Sequence, residues 1–122
     1  MTQGEDRFHV RLRVADDVVE VSVVGEIDIA TVGEFRVALW AAPVRPLLRL
    51  DLSGVRVLSA AGVRALVAAH LRVRARGGEL VVVDPDPVVA RVLRATGLHR
   101  IIAVRHGDAP VGVTHRPLAA CA

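Results

Sequence analysis

The residues best placed to do chemistry lie in Val57–Leu66, VLSAAGVRAL. An aliphatic run ends at Ser59, two alanines and Gly62 follow, and a helical pattern begins. A hydroxyl at a helix start can cap the free amides of the first turn, and there Ser59 would accept from Ala61 or Gly62. The same position suits an anion, because the helix dipole and unpaired N–H groups favour negative charge. Gly62 allows a neighbouring backbone to come close. The turn can therefore be read as a capped helix start with small residues for packing, or as a slim surface on which a partner docks.

Other chemistry finds little support. His9, His70, His99, His106 and His115 form no close ligand pair, and there is no HExxH or CxxC spacing. His70 falls on the apolar stripe of a helix and reads as a core-edge histidine with one nitrogen satisfied. There is no GxSxG elbow and no P-loop lysine. Asp51 and Asp84 follow aliphatic runs, where carboxylates can hold magnesium or simply end strands. The expectation is no catalytic residue, no metal and no cofactor.

Composition agrees. A chain of 122 residues fits one domain with a real core. Hydrophobic residues make up 52% but aromatics only 2%, so the core must be Val, Leu, Ile and Ala. That scarcity argues against stacked-base nucleic-acid binding. The net charge of +3 is spread along the chain, which reads as solvated faces rather than a nucleic-acid or lipid surface. Cys121 stands alone and is given no role. No apolar segment is long enough to span a bilayer and the start, MTQGEDR, is polar, so a cytoplasmic protein is expected.

The elements that must position the turn follow from periodicity. Phe8–Val14 alternates, with Phe8, Val10, Leu12 and Val14 on an expected buried face. Val18–Val24 is a second strand with Val19, Val21 and Val23 inward, and Gly25 is expected to end it. Asp28 or Thr31 caps a helix reaching about Ala42, with Val32, Phe35, Leu39 and Trp40 inward; Pro43 and Pro46 stop it. Leu47–Leu52 is a strand with Leu48, Leu50 and Leu52 on one face, expected to close at Ser53-Gly54-Val55. From Ala60 to Ala75 the period becomes helical, with Val63, Leu66, His70 and Val73 on one stripe. Gly77-Gly78 ends that helix. Glu79–Val83 is an interior strand. Asp86 and Pro87 start a third helix with Val88, Val89, Val92 and Leu93 on its apolar side, and Gly97 ends it. A short strand follows around Ile101–Val104.

The order β-β-α-β-α-β-α-β predicts an α/β domain. Its sheet of about five strands is mixed but mostly parallel, with helices mainly on one face. Residues 1–7 read as a flexible start, 8–105 as the domain, and 106–122 as a tail in which VGV could add an edge piece.

Three segments, VVGEIDIATVGEFRVAL, LLRLDLSGVRVLSAAGVRALVAAH and RARGGELVVVDPDPVVARVLRATGLHRIIAV, together resemble the STAS domain of bacterial anti-sigma factor antagonists. The resemblance spans Val10 to Val104. GEID, DLSGV, a small-residue loop with Gly62, and ATGL occur in the family's order. It implies a protein that binds an anti-sigma factor, often a serine kinase of the histidine-kinase ATPase type, and so frees a sigma factor. In the family the kinase reverses this by phosphorylating a serine in an Asp-Ser-Ser-Gly loop. The aligned residues here are Ser59, Ala60, Ala61 and Gly62, so the acceptor position falls on Ala61, which has no hydroxyl. Ser59 is the substitute acceptor, at the family's aspartate position. The resemblance implies a partner surface of Glu26, Ile27, Asp28 and Thr31 with Ser59, Ala60, Ala61, Gly62, Val63 and Arg64. It points to no direct nucleic-acid or membrane contact and leaves the oligomeric state open. Two alternatives remain: a scaffold or sensory STAS module in a larger assembly, or a STAS domain that binds a small ligand or nucleotide.

Overall fold

A computed structural model describes residues 8–106. Readings that fall on 1–7 and 107–122, including Cys121, His115 and the VGV edge piece, lie outside the described residues. The elements are β1 (His9–Val14), β2 (Val18–Ile27), α1 (Val32–Ala41), β3 (Leu47–Leu58), α2 (Ala60–Ala75), β4 (Glu79–Val83), α3 (Pro87–Ala95), a 3-10 turn (Leu98–Arg100) and β5 (Ala103–Arg105). The strands form one five-stranded sheet in the order β1-β2-β3-β4-β5. β1 pairs antiparallel with β2, and the remaining pairs are parallel. This is the expected mixed α/β sheet. Phe35 of α1, Leu66 of α2 and Leu93 of α3 join Val21, Leu50 and Val82 in one core cluster, so the helices cover one face.

Local signals set the helix boundaries. Ser59 caps α2 and accepts the Gly62 N–H, while Gly77 leaves it in a left-handed conformation at φ +83°. Asp86 caps α3 by accepting from Val88, with Pro87 in the first turn. Val88 is 54% exposed, however, because the covered stripe of α3 runs through Val89, Ala90 and Leu93.

β3 departs most from expectation. It runs past Ser53-Gly54-Val55 to Leu58 and carries two extra residues relative to β2. Ser22 faces Asp51 but Val24 faces Gly54; Gly25 faces Val55 but Glu26 faces Val57. Such bulges break the two-residue period, so the buried positions become Leu52, Val55 and Leu58. A β-carbon on Gly54 would lie 3.1 Å from the Val23 carbonyl oxygen, and Gly25 sits at φ +118° within the continuing strand. Gly25 and Gly54 are therefore where the strands bend together rather than where they end. Asp51 consequently lies within β3, where its Oδ1 accepts from the Ser53 N–H.

The expected buried face of β1 is only partly buried. Val10, Leu12 and Val14 pair with Val23, Val21 and Val19, on the helix-covered side. Leu12 is nevertheless 41% exposed and Val14 48%, because β1 is an edge strand and the helices lie over its neighbours. β5 is Ala103–Arg105 rather than Ile101–Val104, since the Ile101 and Ile102 N–H groups donate back to the Leu98 carbonyl that opens the 3-10 turn. His70 is buried as expected, but its Nδ1 has no hydrogen-bond partner among the described residues.

On the opposite face, Glu20 and Arg49 are paired neighbours, and both are buried. Arg49 Nε lies 3.5 Å from Glu20 Oε2, and the exposed Arg13 reaches Glu20 Oε1 at 3.7 Å. Removing one member of a buried pair strands the other charge, whereas an exposed ion pair adds little. Glu20→Ala is expected to destabilise the fold by about 3 kcal/mol, and Arg13→Ala by no more than about 0.5 kcal/mol, in chemical denaturation.

Candidate functional site

The turn Ser59–Arg64 is built on the ends of β2 and β3. Ile27 and Leu58, the last residues of those strands, face each other. The Ser59 N–H donates to the Ile27 carbonyl at 2.9 Å, tying the start of α2 to the end of β2. Gly62 then lies directly over both side chains. A β-carbon there would sit 2.7 Å from Leu58 Cδ1 and 2.8 Å from Ile27 Cγ2. The close approach expected of Gly62 is thus made to side chains of the strand ends.

The first turn of α2 presents backbone and methyl groups outward. The Gly62 N–H reaches Ser59 Oγ at 3.3 Å and the Val63 N–H reaches the Ser59 carbonyl at 2.9 Å. The amides of Ala60 and Ala61 have no partner among the described residues, as expected at a helix start. Ala60 and Arg64 are exposed, while Ser59, Ala61 and Val63 are half-buried. The side chain at Ala61 is a methyl group, with no atom able to accept a phosphoryl group.

The Glu26–Thr31 loop, which leaves β2 at the same end of the sheet, is held by its own polar groups. Thr31 Oγ1 donates to the Glu26 carbonyl at 2.6 Å and accepts the Asp28 N–H at 3.0 Å. Asp28 Oδ1 accepts from Ala30 and Thr31 at 3.0 and 3.1 Å. The Thr31 side chain makes no cap bond into α1, so the loop is tied to itself before the helix begins. Such cross-bonding fixes the loop in advance and lowers the entropy lost on binding.

The two segments therefore share one end of the molecule, with distinct roles inside the patch. Ile27 and Gly62 are buried and support it from below. Glu26, Ala60 and Arg64 are exposed on it, and Asp28, Thr31, Ser59, Ala61 and Val63 are half-exposed. Ile29 is absent from the sequence-derived set, yet it is 81% exposed beyond Asp28. Val57, which faces Glu26 across the strands, is 40% exposed. An aliphatic residue within a loop of capping residues was the available signal for Ile29. Among the described residues no three His, Cys, Asp or Glu side chains form a metal-ligand set. No helix among them is long and apolar enough to cross a membrane.

Comparison with known proteins gives a consistent result. The STAS domain family model matches residues 9–111. The anti-sigma-B factor antagonist of Listeria monocytogenes is 32% identical over 92 residues, covering 74% of this chain and 81% of that protein. The crystal structure of an anti-sigma factor antagonist from Mycobacterium paratuberculosis superposes with a TM-score of 0.77 at 29% identity, covering 90% of this chain and 94% of that one. The phosphorylated form of the Bacillus cell fate determinant SpoIIAA shares the fold, with a TM-score of 0.65 at 16% identity, covering 89% and 98% of the two chains.

The contact beneath Gly62 makes a measurable demand. Alanine would gain about 1 kcal/mol in helix propensity, but overpacking against Ile27 and Leu58 costs about 1–3 kcal/mol. Gly62→Ala is expected to lower stability by about 1 kcal/mol net in chemical denaturation, and a more stable variant would show that the approach is not tight.

Proposed function

The chain belongs to the STAS domain family, and from that premise we propose that it is an anti-sigma factor antagonist. It binds an anti-sigma factor of the serine-kinase type through the end of the sheet that carries Ser59–Arg64 and Glu26–Thr31. The relatives named as antagonists support the general role. The observation that carries the finer reading is Ala61, a methyl group at the position the family resemblance assigns to the phospho-acceptor. Phosphorylation would add about −1.5 to −2 charges to a close-contact turn. Without an acceptor hydroxyl, that route for expelling the partner is closed. The chain then behaves as an antagonist held permanently in its binding form, acting by contact alone.

The parts of the patch have separate roles in this reading. The small side chains of Ala60 and Ala61 let a partner approach the helix start, where two amides await acceptors. The apolar Ile29 supplies a side chain to bury, while Glu26 and Arg64 give the rim opposite charges that set orientation. Ser59 is half-buried and its Oγ is occupied in capping, which disfavours it as a substitute acceptor.

Direct binding to the anti-sigma factors encoded in the same genome tests this reading. The unmodified chain is expected to bind one of them, and Ala61→Glu to weaken that complex by about 2 kcal/mol or more, roughly thirtyfold in Kd. With a kinase partner and ATP, Ala61→Ser should take up phosphate within residues 59–64 while the unmodified chain does not. Failure of every anti-sigma factor to bind, or labelling of the unmodified chain in this turn, would overturn it.

A further inference from the structure

β1 is a free edge of the sheet, and among the described residues no strand lies beyond it. The Ala15 N–H donates to the Val18 carbonyl and closes the β1–β2 hairpin. Hydrogen-bonded pairs alternate along an antiparallel ladder, so they fall at Arg13 with Glu20, Arg11 with Ser22 and His9 with Val24. The backbone N–H and C=O groups of Val10, Leu12 and Val14 therefore point outward, away from β2. Edge strands are ordinarily blunted by a proline, a bulge or an inward-pointing charge. β1 has none of these, because its register with β2 is unbroken and its helix-side residues are all aliphatic. Beside the edge an apolar groove of about 400 Å³ opens between β1 and α1, with Phe8 and Val10 on one wall and Gly33, Val37 and Ala38 on the other. Glu34 and His9 complete its lining. Val37 is 68% exposed. Gly33 is exposed too, at negative φ, and a β-carbon there would meet nothing within 4 Å. No contact among the described residues requires a glycine at that position, and its missing side chain widens the groove.

The opposite face of β1 carries the exposed Arg11 and Arg13. Glu20 is shared between Arg13 and the buried Arg49, so that row of the sheet keeps a positive charge. The acidic residues that follow the strand, Asp16 and Asp17, lie in the hairpin turn. A strand added at this edge would turn alternate residues toward the groove and toward the arginines. Cross-strand pairs of opposite charge stabilise a sheet and like charges weaken it. That disfavours a second copy of β1, since any register that keeps both sets of helices on one side of the sheet places Arg11 and Arg13 against arginine or histidine. We propose that the β1 edge takes up an extended segment of another protein as a further strand, with apolar residues over the groove and acidic residues opposite Arg11 and Arg13. The site uses none of the residues assigned to the anti-sigma surface and stands whether or not that reading holds.

The test is an amide NMR titration of the whole chain with a blocked heptapeptide of alternating valine and glutamate, beside the same peptide with lysine for glutamate. The glutamate peptide is expected to give saturable shifts centred on Val10, Leu12 and Val14, and the lysine peptide to bind about tenfold more weakly. Leu12→Pro removes an outward N–H without touching the β1–β2 ladder, and should abolish binding. Val37→Glu, at an exposed position on the groove wall, should weaken it severalfold; circular dichroism would verify that each variant is folded. The absence of saturable shifts with the glutamate peptide, equal binding of the two peptides, shifts centred elsewhere, self-association through β1 in place of peptide binding, or binding that survives both variants would overturn the proposal.

Discussion

The close approach of α2 to the end of β2 is the contact on which the proposed partner surface depends. The Ser59 N–H bonds to the Ile27 carbonyl, and Gly62 lies against the Ile27 and Leu58 side chains. A glycine at that point lets the helix start sit low on the sheet. The same residue pair brings the Glu26–Thr31 loop alongside, because Ile27 is both the floor under Gly62 and the residue from which the loop departs. A surface drawn from two distant stretches of chain is thus held by the end of the β2–β3 ladder, one further backbone hydrogen bond and one tight apolar contact. Its exposed residues need little reorganisation to meet a partner.

The bulges in β3 make that approach possible. Two additional residues relative to β2 carry the strand to Leu58 and change which side chains face the core. Had β3 ended at Leu52, the helix would begin well short of the end of β2, and Ser59 would have no carbonyl of Ile27 to meet. The irregular pairing at Gly25 and Gly54 is therefore part of how the turn is placed.

The sequence was most legible where local chemistry decides the outcome. Ser59, Gly77, Asp86 and Pro87 mark helix ends through their own side chains or backbone freedom, and the structure uses all of them as expected. The element order and the inward faces of β2 and the first half of β3 also follow from periodicity, and the unbroken aliphatic run of β4 marks it as an interior strand. What was not legible depends on neighbours. Ser53-Gly54 has turn composition, and only the approach of Val23 and Val24 shows that it bends a continuing strand. β1 alternates correctly, yet burial of Leu12 and Val14 requires a covering helix that an edge strand lacks. For His70 the helical stripe predicts burial but cannot supply a partner for Nδ1. For the residues proposed as the partner surface, the division between the buried Ile27 and Gly62 and the exposed Ile29 required the fold.

We propose that one pre-formed end of the sheet, with a bare helix start at Ala61, is the partner surface. Amide hydrogen exchange of the chain, free and saturated with an anti-sigma factor found to bind it, tests this most directly. Added protection is expected over residues 26–31 and 59–64 together, with β1 and the C-terminal ends of α1 and α2 unchanged. Protection confined to those other regions, with both segments exchanging as in the free chain, would contradict it.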